Sequence, residues 1–160
     1  MGFKQIIMVA VISSMMVGCA SKQPNPPQTY TNHAHSFSVQ YDHAFEPMPH
    51  SSENTLLKCE AYQRIMSITG NPIQKTLNLN NASDRDQILN NVGIIGIIET
   101  TPIAIQGREG LLVRTQTNRN QTSHYLFTTP THFIAFSFKS TRPNMQWAED
   151  IMATLHWANP

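Results

Sequence analysis

Seven histidines, two cysteines and ten carboxylates are the side chains of this 160-residue sequence that could hold a metal or move a proton. His33 and His35, with His43 and His50 behind them, invite a metal reading first. The setting argues against it. His33 and His35 fall in a polar, proline-bearing stretch where nothing would orient the rings, and no Cys or dense carboxylate set joins them. The expectation is a plain linker, with weak metal capture as the sharper alternative. His124 and His132 stand on two predicted strands joined by Thr129-Pro130-Thr131, so they could face each other. A satisfied surface histidine is nonetheless a commoner outcome than a ligand or a base.

Hydrolysis would want a nucleophile on a sharp turn, and no G-x-S-x-G occurs. Paired carboxylates for glycoside chemistry could be drawn from Glu46, Glu53, Glu60, Glu99 and Glu109, but nothing distinguishes two of them. Gly93 and Gly96 with Gly107 and Gly110 make no phosphate loop, because no Lys-Ser or Lys-Thr follows; they read as a helix stop and a hairpin turn. Arg108, Arg114 and Arg119 surround one hairpin, either as a small cationic patch or as charges that discourage edge-to-edge association. No pattern here specifies catalysis, so a non-enzyme without metal or dissociable cofactor is expected.

The informative cysteine is Cys19. Residues 1–18 carry one early cation, Lys4, then an apolar run from Ile6 to Ile12 and a second apolar patch, the order of a secretory signal. Ile6 to Gly18 is thirteen residues, too short for a bilayer core that takes roughly 20. Met16-Val17-Gly18-Cys19 follows directly and resembles the lipobox of bacterial lipoproteins. The resemblance implies cleavage before Cys19, a diacylglycerol thioether on its sulfur and an acyl chain such as palmitate on its new amino terminus. Multiple chains hold a protein on a membrane far more firmly than one. Ala20 rather than Asp at the next position implies, by the lipoprotein sorting pattern, the periplasmic leaflet of the outer membrane. Cys59 is then left without a partner for an intramolecular disulfide, either as a small buried residue or, less ordinarily, as a nucleophile or an intermolecular bridge.

Length and composition bound the rest. At 18.0 kDa the chain has room for one domain, and 40% hydrophobic residues exclude disorder. Only 13% are charged, and eleven Lys plus Arg nearly balance ten Asp plus Glu. Such a chain has no surface to neutralise phosphates, so nucleic acid is excluded as a partner class.

The elements that would position any site begin after residues 20–36, ASKQPNPPQTYTNHAHS, which read as a flexible tether reaching up to about 50 Å. Residues 37–160 form the expected single domain. Phe37, Val39 and Tyr41 alternate with Ser38 and Gln40 as a half-buried strand. Thr55 to Thr69 fits a helical face or a long strand, with strand preferred on architecture; Gly70-Asn71-Pro72 should break it, and Ile73, Leu77 and Leu79 suggest a short strand or turn. Ser83 is placed to cap a short helix that ends at Gly93. Strands follow over 97–105, 111–117, 124–128 and 132–138, with the glycine turn at 106–110, and Asn144 should cap a helix from Met145 to about Trp157.

This order predicts an α+β fold, a mainly antiparallel sheet covered on one side by helices. It also resembles the PsbP-like (Mog/DcrB-type) families. The residues carrying that resemblance are the opening strand Phe37-Ser38-Val39-Gln40-Tyr41, the hairpin at Ile103-Ala104-Ile105-Gln106-Gly107-Arg108-Glu109-Gly110, the Tyr125-Leu126 hairpin and the closing helix from Ile151 to Trp157. The family's Pro-x-x-Trp after the first strand has no counterpart. The resemblance implies a binding or accessory module attached to a larger envelope assembly. Tyr125, Phe127, Phe133, Phe136 and Phe138 are the candidate partner-binding residues, since an aromatic-rich hairpin could leave an apolar face exposed. The alternative is a small-ligand carrier or sensor with a pocket between the sheet and the C-terminal helix.

Overall fold

The structure, a computed structural model, describes residues 25–50, 52–75 and 77–158. The expected signal peptide, Cys19 and the first part of the tether lie outside the described residues. The tether does not run to Ser36, because β1 (Gln28–Asn32) is a strand paired antiparallel to β2 (Phe37–Tyr41), with Gln28 opposite Tyr41. Its one apolar side chain, Tyr30, packs its ring 6.0 Å from that of Phe37 and donates its hydroxyl to the Leu56 carbonyl at 3.1 Å. A strand with a single apolar residue has no hydrophobic alternation to read, and hence resembled a linker.

The main sheet has seven antiparallel strands. They are β3 (Glu46–Pro47), β4 (Thr55–Ala61), β5 (Arg64–Pro72), β6 (Ile97–Ile105), β7 (Arg108–Gln116), β8 (Gln121–Thr128) and β9 (His132–Ser140), in the spatial order β3-β4-β5-β9-β8-β7-β6. The second sheet is β1, β2 and β10 (His156–Trp157), with β2 in the middle. Both edges of the main sheet are blunted: β3 is two residues long and includes Pro47, and β6 carries Pro102. The fold is therefore α+β and mainly antiparallel, as the element order predicted.

Thr55–Thr69 is a hairpin rather than one strand. Tyr62 and Gln63, at φ 47° and 68°, make the tight turn between β4 and β5, a conformation usually signalled by Asn or Gly. Gly70-Asn71-Pro72 does not break β5, which runs on against β9 to the Pro72–His132 pair. Gly70 is needed because His35 lies over it: an added Cβ would come within 2.9 Å of that imidazole's Nε2. No strand forms over the described residues 73–79; Leu77 and Leu79 bury there instead.

Alternation along β9 sorts the core into two clusters. Ile134, Phe136 and Phe138 point to one face, where Phe37, Val39 and Tyr41 of β2 and Ala148, Ile151 and Met152 of α2 (Gln146–Ala153) cover them. Phe133 and Ala135 point to the other, under Ile88 of α1 (Ala82–Val92) with Leu77 and Leu79. The two helices thus lie on opposite faces rather than one.

Each helix end differs from expectation in an instructive way. The cap of α1 is Asn81, not Ser83: its Oδ1 accepts the Asp84 N–H at 3.2 Å, and Gly93 closes the helix at φ 66°. Asn144 does accept the Gln146 N–H at 2.9 Å, but α2 stops at Ala153 because His156 and Trp157 pair with Ser38 and Phe37. The turn between β6 and β7 is only Gln106-Gly107, at φ 51° and 78°. Gly110 is inside β7, where a Cβ would stand 2.6 Å from the Phe127 ring.

Candidate functional site

The five aromatics expected to meet a partner do not form a docking face. Tyr125, Phe127, Phe133, Phe136 and Phe138 are all buried. The physical reason is their position: β8 and β9 are interior strands of a sheet covered on both faces, so an aromatic pointing either way is enclosed. Phe127 stands edge-on to Phe136 at 6.0 Å and to Trp157 at 5.3 Å, and Phe138 edge-on to Tyr125 at 5.7 Å.

The candidate chemical groups are likewise dispersed. Cys59 is fully buried, and burial pushes its thiol up to about 12, so it is a packing residue at neutral pH rather than a thiolate. His35 is held by the β1–β2 turn with its ring 4.5 Å from that of His132; burial and then the neighbouring His132 lower its pKa. His124 and His132 do not meet. Instead the Nδ1 of His124 lies 2.8 Å from the Ser137 hydroxyl on β9. That pair lacks the rest of a nucleophile site. Burial lowers the imidazole to about 4, which makes it a poor base, and among the described residues no carboxylate bonds its other nitrogen to orient it. No group of three His, Cys, Asp or Glu among the described residues could hold a metal.

The three hairpin arginines form no common patch. Arg114 is satisfied between Glu99 at 2.8 Å and Glu149 at 3.3 Å, and Arg119 stands exposed in the β7–β8 turn. Arg108 is different. It opens β7 directly after the Gln106-Gly107 turn, and its guanidinium carbon lies 4.1 Å from the centre of the Trp157 ring. The β10–β2 pairing sets that indole in place, the Gln106 Oε1 accepts the Trp157 backbone N–H at 3.1 Å, and Phe37 and Phe127 stand edge-on to the ring at 5.6 and 5.3 Å. Desolvation lowers the pKa of Arg108, and among the described residues no carboxylate lies within ion-pairing distance of it. Glu109, the next residue of β7, accepts from the Asn80 amide at 3.2 Å and makes no ion pair with Arg108.

Arg108 and Trp157 sit on the wall of a cleft of about 640 Å³ whose rim includes Gln106, Glu109, Thr128 and His156, the Glu109 carboxylate being bonded to Asn80 and not to Arg108. A guanidinium held over an indole by cation–π attraction can still turn its N–H groups to a carboxylate or phosphate. Both residues are visible in the sequence, one as a hairpin charge and the other as the end of a predicted helix. Nothing local brings them together, because the contact exists only once β10 has paired with β2. A second cleft, of about 320 Å³, lies beside Arg114, Gln121, Ser123 and Gln146, at the start of α2. Its cation is already satisfied by Glu99 and Glu149.

No family model and no curated protein matches the sequence. The folded chain is similar to the solution structure of cyanobacterial PsbP from Synechocystis sp. PCC 6803, with a TM-score of 0.62 at 12% identity over 89% of this chain and 98% of that one. It is also similar to a crystal structure from Bacteroides thetaiotaomicron VPI-5482, with a TM-score of 0.56 at 12% identity over 82% of this chain; the match spans 48% of that longer one. At such identity the likeness concerns the arrangement of strands and helices alone, and by that arrangement the fold is PsbP-like.

Proposed function

We propose that the protein is a lipid-anchored lipoprotein of the outer membrane, its domain in the periplasm, and that it acts without catalysis as an accessory module for an envelope protein. The observation that supports the binding reading is Arg108: a half-buried cation over the Trp157 ring, without an ion-pair partner among the described residues, on the wall of the 640 Å³ cleft. Trp and Arg in a partly enclosed pocket are the residue types that dominate binding energy at interfaces. The chemistry favours an acidic segment of the partner, whose carboxylate would complete the ion pair. The anchor reading rests on Met16-Val17-Gly18-Cys19 behind an apolar run too short to span a bilayer.

The test is an in-cell cross-link and pull-down of the full-length protein beside Cys19→Ser and Arg108→Gln, with captured proteins identified by mass spectrometry. One dominant partner should appear, reduced without the anchor and reduced about tenfold or more without the guanidinium, the cost of losing a hot-spot arginine. Glutamine keeps a polar side chain without the charge, so a folded variant with undiminished capture would sink the cleft as the docking site. A small anionic metabolite seen in native mass spectrometry and lost in Arg108→Gln would instead favour the ligand-carrier reading, at this cleft rather than under α2.

A further inference from the structure

We propose that the end of the domain opposite the Arg108 cleft seats directly on the bilayer surface, through Tyr62 and the isoleucines at the start of β6. This rests on the lipid-anchor reading. Pro27 lies beside Arg64, Phe45 and Trp147 in one shallow cleft, and Arg64 follows the Tyr62-Gln63 turn directly. Between Cys19 and Pro27 are only eight residue steps, a reach under about 30 Å even when fully extended. Since Gln28–Asn32 belong to the sheet, the slack is far less than a tether to Ser36 would give.

That same end collects the exposed apolar side chains. Tyr62 is 80% exposed and Ile95 78%, with Ile97 and Ile98 also open to solvent, and these four are the exposed large hydrophobics of the described residues. The adjacency can be followed across the sheet. Gln63 accepts the Thr141 hydroxyl at 2.8 Å, Thr141 shares a cleft with Arg119 and Gln116, and Gln116 donates to the Gly96 carbonyl at 3.1 Å, next to Ile95. Four strand spacings separate β5 from β6, placing the two contacts roughly 20 Å apart, a stable footing rather than a point. Tyrosine, with an apolar ring and a polar tip, suits the headgroup region.

Two separate segments, the Tyr62 turn and residues 95–98, bring these side chains to the same end of the sheet as Pro27. The opposite end, with its turns at 106–107 and 129–131, carries none of them. Charges at the anchor end are mixed, Arg64, Arg119 and Arg142 against Asp42, Glu60 and Asp150, so contact is assigned to the apolar groups and needs no anionic lipid.

The experiment uses the full-length lipidated protein in phosphatidylethanolamine–phosphatidylcholine vesicles, labelled with an environment-sensitive fluorophore at Tyr62→Cys, Ile95→Cys or, at the other end, Thr131→Cys. Cys59 is buried with its thiol pushed up to about 12 and does not compete for label. The expected result is blue-shifted emission and quenching by spin-labelled lipid at positions 62 and 95, unchanged in high salt, with neither at 131. Acylated protein that floats with the vesicles while all three labels respond alike would overturn the seating and leave the anchor standing. Intact mass showing no acyl chains on Cys19, with no flotation, would remove the anchor reading and the seating with it.

Discussion

The two faces of the seven-stranded sheet are built by opposite means. One is a wall of rings, Phe37, Phe127, Phe136 and Trp157 meeting edge-on, closed by elements from both ends of the described chain, β1–β2 and α2–β10. The other is smaller and largely aliphatic, Leu111, Val113, Leu126 and Phe133 under a single helix and the buried Leu77 and Leu79. Their helices match this division. α2 gets no side-chain bond from its Met145 N-cap, only that of the preceding Asn144 to the Gln146 N–H, and buries Ala148, Ile151 and Met152, whereas α1 has a side-chain cap at Asn81 and a left-handed Gly93 and buries little beyond Ile88. Where packing is dense, the helix ends carry less of the stability; where it is sparse, they carry more.

The largest break in that comparison is Phe136→Ala. Phe136 is fully buried on the ring face and meets Phe37 at 5.2 Å and Phe127 at 6.0 Å. Truncation should cost about 4 kcal/mol, the transfer energy plus the cavity left behind. Denaturant unfolding would show the midpoint falling with its slope unchanged, and a loss near 1 kcal/mol would mean that the ring wall collapses readily and is no rigid frame for the cleft at Trp157.

The second break uses pH and tests the other face. His124 points to the α1 side, as Leu126 does, with its imidazole lowered to about 4 by burial. In the unfolded chain the same ring titrates near 6.5, so below that pH the unfolded state binds the extra proton. Stability should be complete above about pH 6.5 and fall by roughly 3 kcal/mol as pH drops toward 4. His35, also lowered, adds to the decline with the same sign. His124→Gln, which can still bond Ser137, should flatten most of the slope in urea titrations run from pH 7 to 4. An unchanged slope would assign the acid sensitivity elsewhere.

The order of the strands was largely readable in the sequence, whereas the division into two covered faces was not, since the helices were expected on one side. β2 alternates cleanly and was legible to the residue, and β6 through β9 showed as apolar runs between polar turns. What hid was structure without local chemistry to announce it. β1 offers one tyrosine, the Tyr62-Gln63 turn adopts left-handed backbone without glycine or asparagine, and β10 borrows its existence from β2. The aromatics of β8 and β9 were legible as important and misassigned in role, because alternation reports which residues share a face and not whether another layer covers it. The Arg108–Trp157 contact was invisible for a related reason, since its two halves belong to elements that meet only in the finished fold.

The smallest expected effect is the most discriminating. Asn81→Ala removes the Oδ1 that accepts the Asp84 N–H and should cost about 1 kcal/mol. Asp84 would remain tied to Lys75 at 3.0 Å and to the Asn78 N–H at 3.0 Å, which together hold its carboxyl below the usual range, so the helix end is loosened rather than freed. On a face held by caps, that loss should appear locally: hydrogen exchange of the α1 amides quickens while α2 and the β8–β9 pairs keep their protection. If protection fell equally in α1, α2 and the central strands, the two faces would be one cooperative unit, and α1 would owe its stability to the ring wall beneath the sheet rather than to its own ends.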